Sequence, residues 1–426
     1  NDKDRRRSLE RPEAIITLGV IVAEELFGRS IPVLCVGAET FASLRTVGAA
    51  RISAESRSAQ TTAIHLTDDD QAVLTGEHGK AAAVAMRIVL RMAEIEGADG
   101  LIDITRAHID GCIYTGPGGL AFAEKLKDLG GRVKVPTTLN AISVDQRGWR
   151  VQGIPPAFGE PASRLADAYV AMGAEPTFTC APYLLDDRPE RDEQIVWAES
   201  NAVVFANSVL GARTMKYPDY LDICVALTGR ALKAGCHLDA ERLPGLRIRL
   251  SSLEKVDDSL YPLLGYLIGT LAPDTIPVVE GLHSHAPDLD DLKAFGAAFA
   301  TTSAAPMFHI AGVTPEAISH DGYSDLALPI ITISAEQLRQ AWAELNGAPA
   351  GSVELVSLGN PHFSVAEIAK LAALCRNRTK QPDVALIVTC GRHVLEQARA
   401  AGDVTLLEAF GVTFVTDTCW CMITEP

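Results

Sequence analysis

Apolar residues recur every three to four positions in 79–97 (GKAAAVAMRIVLRMAEIEG), 119–131 (GLAFAEKLKDLGG), 161–173 (PASRLADAYVAMG), 335–345 (AEQLRQAWAEL), 364–374 (SVAEIAKLAAL) and 394–402 (VLEQARAAG). That spacing lines one face of a helix and predicts helices there. Between them lie short runs with little alternation: 100–105 (GLIDIT), 132–140 (RVKVPTTLN), 177–184 (TFTCAPYL), 353–359 (VELVSLG), 383–390 (DVALIVTC) and 412–419 (VTFVTDTC). Nearly continuous apolar runs predict strands buried on both faces. Their alternation with helices predicts an α/β fold with parallel sheets. Chemistry is then expected at the carboxyl ends of strands. Thr67 followed by Asp68, Asp69 and Asp70 reads as a helix N-terminus, because a short polar side chain caps orphan amides and acids suit the dipole.

The beginning of the chain differs. Residues 1–11 are charged and carry no apolar period, whereas 12–53 read as an α/β fragment too small to hold a full core. We therefore expect a partial small domain and linker over 1–65 and a large catalytic unit over 66–426. Hydrophobic residues make up 47% of the 426 positions and charged residues 22%, the mix of a protein with a large core. The formal charge of −16 argues against a phosphate-backbone partner, so nucleic acid is not expected. Nine cysteines, an odd number spread over the chain, do not read as a disulfide framework. With no secretory signal and no long uncharged apolar run, the expected setting is cytoplasmic, with reduced thiols and no membrane span.

Three places put polar or thiol groups at predicted strand ends. The first, DITRAHIDGCIYTGPGG, holds His108, Asp110 and Cys112 before Gly116, Gly118 and Gly119. It reads either as a ligand-approaching loop or as a turn around a buried thiol. The second is Cys180, just before Pro182. The third pairs Cys390, followed by Arg392 and His393, with Cys419 and Cys421. No compact zinc spacing, phosphate-binding loop, dinucleotide fingerprint or nucleophile elbow occurs. His283 and His285 form an H-x-H that reads as a solvated loop. Spacing alone stops at an α/β enzyme with several thiols that distant segments could bring together.

From 66 to 426 the chain resembles the aconitase X family. The resemblance rests on LTDDDQAVLTGEHG, AHIDGCIYTGPGG, VKVPTTLNA, TCAPYL, ANSVLGART, FGAAFATTSAAPMFHIAGVTPEA, SLGNPHFS, TCGRHV and VTDTC, in that order. Residues 12–53 resemble the second half of the family's small swivelling domain. The resemblance implies a large aconitase-like unit and a hydro-lyase with an iron–sulfur cluster. A 2Fe–2S form is placed ahead of 4Fe–4S, with a single iron also open. For the bacterial fused type it implies dehydration of a small hydroxy amino acid, cis-3-hydroxy-L-proline, to Δ1-pyrroline-2-carboxylate. A mevalonate 5-phosphate dehydratase and a non-catalytic iron-binding protein are the alternatives. Iron with an open position would help a hydroxide leave.

By the same resemblance Cys180 and Cys419 are the first choices as metal ligands and Cys112 the third, with Cys390 its rival. Cys35, Cys224 and Cys375 are expected in cores, and Cys236 is expected to be structural. Arg213 and Arg392 are candidates to clamp the substrate carboxylate. His108 is a candidate acid. Asn140, His309, Glu77 and His78 are expected to line the pocket. In aconitases the base is a Ser from the small domain. No Ser-rich run appears in residues 1–11, so no base is named.

Overall fold

The computed structural model describes residues 64–251, 257–318, 323–348 and 351–419. The expected small-domain fragment falls almost wholly outside these residues, as does Cys421. In chain order the strands are β1 (Leu101–Asp103), β2 (Arg106–Ile109), β3 (Thr137–Leu139), β4 (Ile195–Trp197), β5 (Arg230–Leu232) and β6 (Leu246–Leu250). They continue with β7 (Pro277–Glu280), β8 (His309–Ile310), β9 (Ile330–Ile333), β10 (Leu355–Phe363), β11 (Ala385–Cys390) and β12 (Val412–Val415). Three sheets are parallel, with strand orders β3-β2-β4, β8-β7-β6-β9 and β10-β11-β12, while β1 and β5 form an antiparallel pair. The α/β expectation with parallel sheets therefore holds.

Each parallel sheet has its own core. Helices Lys80–Ile95 and Leu221–Thr228 bury Met86, Ile88 and Val225 beside β2. Helices Leu260–Leu271 and Leu289–Thr302 pack with Phe295, Phe299 and Phe308 over β6 and β7. Gly265 lies so close to the Phe295 carbonyl that a Cβ there would meet it, which lets these two helices approach backbone to backbone. The third core gathers Val388, Val394 and Leu407. A small fourth cluster holds only Ala141, Cys180 and Cys419.

The periodic helices appear where the spacing places them. Thr67 caps Asp68–Thr75 through a reciprocal capping box with Asp70. One strand expectation fails. TFTCAPYL forms no strand, because Pro182 opens a 3-10 turn over Pro182–Leu184 and Phe178 is left-handed at φ 43°. Among the described residues, no helix is long and apolar enough to cross a membrane.

Candidate active site at the strand carboxyl ends

In the first sheet His108 lies opposite Thr138 on one side and Trp197 on the other. Side chains alternate along strands, so Asp110, Asn140 and Glu199 form the next row on the same face, just beyond the carboxyl ends. Asn140 donates through Nδ2 to Asp110, and its own Oδ1 accepts the Ala141 N–H at 2.7 Å. Glu199 caps helix Ser200–Phe205, its Oε2 accepting the Ala202 N–H at 2.8 Å and a bond from Asn201. Asn201 also donates to the Cys180 carbonyl at 3.1 Å. The acid row and the Cys180 loop are thus joined through one amide.

Cys180 follows β3 closely, since the Thr179 N–H bonds the Leu139 carbonyl at 3.1 Å. Cys419 lies on the turn after β12, and the Asp417 carbonyl accepts the Ile142 N–H at 2.7 Å. These contacts bring the two sulfurs to 2.9 Å, with both residues buried and unbridged. The ligating atoms of Cys180, His362 and Cys419 all lie within 4.8 Å of one another. His362 was not singled out in the sequence, although SLGNPHFS was. Its Nε2 meets the Thr418 carbonyl at 2.9 Å and its Nδ1 the Thr179 hydroxyl at 3.1 Å. A neutral ring donating from Nε2 and accepting at Nδ1 satisfies both. The His362 backbone N–H also donates to the Cys180 sulfur at 3.2 Å. Burial lowers the imidazole pKa to about 4, which keeps it neutral.

Arg392 ties the same two loops. Its Nε and Nη2 each donate to the Asp417 carboxylate at 2.5 Å, and its guanidinium carbon stands 5.1 Å from the Phe178 ring centre. Phe178 and Asp417 are both left-handed, at φ 43° and 68°, and each sits two residues before its cysteine. Non-glycine residues hold that conformation only when their surroundings impose it. Arg392 lies against both. It was expected to clamp the substrate carboxylate, but its fork is taken up by Asp417.

Burial pushes the Asp110 carboxyl well above its usual range, and the charges of Asp219, Glu199 and Asp222 add to this. Burial also raises Glu199. Asp222, which accepts the N–H groups of Asp110 and Gly111, is raised to about 7 by burial and by Asp219. His108 is fully buried, with Nδ1 at 2.7 Å from Thr138 Oγ1 and Nε2 without a partner. Burial lowers it to about 3. It therefore carries no imidazolium proton near neutral pH, which argues against the expected acid role.

Cys112 is not in the thiol group. Its Sγ faces the Ile109 and Asn140 carbonyls at 3.3 and 3.5 Å, and burial with Asp110 and Asp222 pushes its pKa well up. Its rival Cys390 is buried in the third core, and burial raises it to about 12. Cys224, Cys236 and Cys375 are buried in cores, as expected. Arg213 pairs with Asp192 at 2.9 Å and Asp239 at 2.6 Å. It bridges Gln194, at the amino end of β4, the far end of that strand from Glu199. His309 donates from Nε2 to the Arg242 carbonyl at 2.8 Å in the second sheet. Glu77 and His78 are exposed, His78 lying 3.3 Å from Asp69. Of the expected pocket residues, Asn140 alone stands in the row beside the thiols. Glu199 and Asp222 went unnoticed because nothing in their local sequence sets them apart from capping or surface acids.

Residues 63–240, 244–343 and 353–426 match the Aconitase X first, second and third domains. The chain is 56% identical over 443 aligned positions to a cis-3-hydroxy-L-proline dehydratase of Pseudomonas aeruginosa, covering 98% of this chain and 75% of that protein. It is 54% identical to one of Hypocrea jecorina, covering 98% and 74%. Identity is 34% to the phosphomevalonate dehydratase large subunit of Methanocaldococcus jannaschii, covering 85% and 90%. The crystal structure of Thermococcus kodakaraensis aconitase X in its holo-form superposes with a TM-score of 0.77 at 31% identity, covering 84% of this chain and 89% of that one. The chain belongs to the aconitase X family.

Proposed function

We propose that this protein is a hydro-lyase that dehydrates cis-3-hydroxy-L-proline to Δ1-pyrroline-2-carboxylate, with residues 66–426 as its catalytic unit. The observation that carries the reading is the meeting of Cys180 and Cys419 at the carboxyl ends of parallel strands, in a chain more than half identical to dehydratases of that substrate. The donor set fits an iron–sulfur centre. Two buried thiols in contact would repel each other as thiolates unless a cation lay between them. Soft sulfur ligands select iron–sulfur clusters over hard cations. Cys180 and Cys419 would hold the centre. The described group offers only two thiols, so a 2Fe–2S form remains ahead of 4Fe–4S. When bound, the centre supplies a Lewis acid for the departing hydroxyl.

The chain's own residues hold that place in shape. His362 ties Thr179 to Thr418, and its backbone N–H donates to the Cys180 sulfur. Arg392 fixes the Asp417 turn against Phe178. The phosphomevalonate alternative is less favoured because the relatives of that name are more distant and the row beside the thiols is acidic. The test is turnover by iron-loaded protein offered cis-3-hydroxy-L-proline, trans-4-hydroxy-L-proline and mevalonate 5-phosphate separately. The first should be dehydrated and the other two left intact. The C4 hydroxyl is not β to the proton that the carboxylate acidifies. Turnover of mevalonate 5-phosphate alone would replace this reading with its alternative.

A further inference from the structure

A cavity of about 810 Å³ is lined by Glu199, Asn201, Lys293, Asn360 and Pro361, among others. Asn360 and Pro361 immediately precede His362, and Asn201 bonds the Cys180 carbonyl, so this cavity adjoins segments that hold the thiol pair in place. The Ala202 N–H and the Asn201 amide both donate to Glu199 Oε2, and the Asn201 backbone N–H also bonds this carboxyl. Asp110 occupies the adjacent strand in the same row, and each of the two carboxyls feels burial. Lys216 offsets the cost at Glu199 only in part, and Lys293 is engaged by Glu367. One row beneath on the same face, the fully buried His108 keeps Nε2 without a partner, a polar group unsatisfied by protein.

Two crowded, poorly solvated carboxyls make a place that a small cation stabilises and an anion does not. A 3-hydroxyproline carries a secondary ammonium next to the carbon that loses its proton, whereas a phosphorylated hydroxy acid carries only negative charge. We propose that Glu199, with Asp110 beside it, binds the ring ammonium of the substrate and selects amino acids over acidic substrates at this site. The inference rests on the dehydratase reading given above and adds the group that recognises the amine. Asn201 and the Ala202 N–H hold the Glu199 carboxyl in place, so little side-chain freedom remains to be lost on binding.

The test compares two ligands that differ in one atom, L-proline and tetrahydrofuran-2-carboxylate, whose ring oxygen replaces the N–H. Calorimetry on the iron-loaded protein should show L-proline binding more tightly, by on the order of ten- to a hundredfold, the span expected of a charge-assisted hydrogen bond. Glu199→Gln keeps an oxygen for the Ala202 N–H and should remove most of that preference with iron content unchanged. Asp110→Asn provides the same comparison if the first variant fails to fold. Equal preference in wild type and variant would overturn the inference, as would failure of the wild type to favour L-proline. The dehydratase reading is judged separately, by turnover of cis-3-hydroxy-L-proline. An ammonium preference without turnover would leave the inference standing and remove the reading beneath it.

Discussion

The sulfur of Cys180 lies 2.9 Å from the sulfur of Cys419, although 239 positions separate them. That is longer than the ~2.05 Å of a disulfide, so no S–S bond bridges them. Iron-free protein should therefore take up Co(II) with a sulfur-to-metal charge-transfer band. Cys180→Ser and Cys419→Ser should each weaken it. A band of wild-type intensity in either variant would take that residue out of the site.

Arg392 should act on the thiol loops through Asp417. Removing it leaves a fully buried carboxylate without its partner, so Arg392→Ala should lower the unfolding free energy by about 3 kcal/mol. Arg392→Lys keeps the charge but not the planar fork, and about 1 kcal/mol is expected. Both should lose iron faster than wild type on dilution into a chelator. Unchanged iron loss together with a large rise in KM would return Arg392 to the role of carboxylate clamp.

His108 makes a pH-dependent contribution with a definite sign. Its folded pKa is about 3, while the unfolded imidazole titrates near ~6.5. Below pH ~6.5 the unfolded chain takes up a proton that the folded chain refuses, so wild type loses stability there as pH falls. By pH ~4.5 the loss from this residue is about 2.5 kcal/mol. His108→Gln has no such term. Any stability deficit it shows at pH 8 should narrow by about that amount at pH 4.5 in urea unfolding. A deficit that stays constant with pH would mean that His108 titrates normally.

The helices and most strands were legible because their apolar periods are long, and the cap at Thr67 is local. The thiol pair was reached through resemblance, because nothing near Cys180 or Cys419 in the chain signals the other. TFTCAPYL misled because its apolar content is that of a strand, while Pro182 and the left-handed Phe178 make it a turn. Arg213 misled for another reason. A bidentate fork suits any carboxylate, and its partners proved to be Asp192 and Asp239. His362, Glu199 and Asp110 gain their meaning from register and from loops far away in sequence, which no local pattern carries.

Cys112 separates the two accounts of the metal centre. Its thiol is held protonated beside Asp110 and Asp222, outside the group formed by Cys180, His362 and Cys419. The most direct measurement is iron content and turnover of cis-3-hydroxy-L-proline, taken side by side on wild type, Cys419→Ser and Cys112→Ser. The account predicts that Cys419→Ser loses iron and turnover together, while Cys112→Ser keeps its iron. A Cys419→Ser protein that retains iron and dehydrates the substrate at the wild-type rate would contradict it.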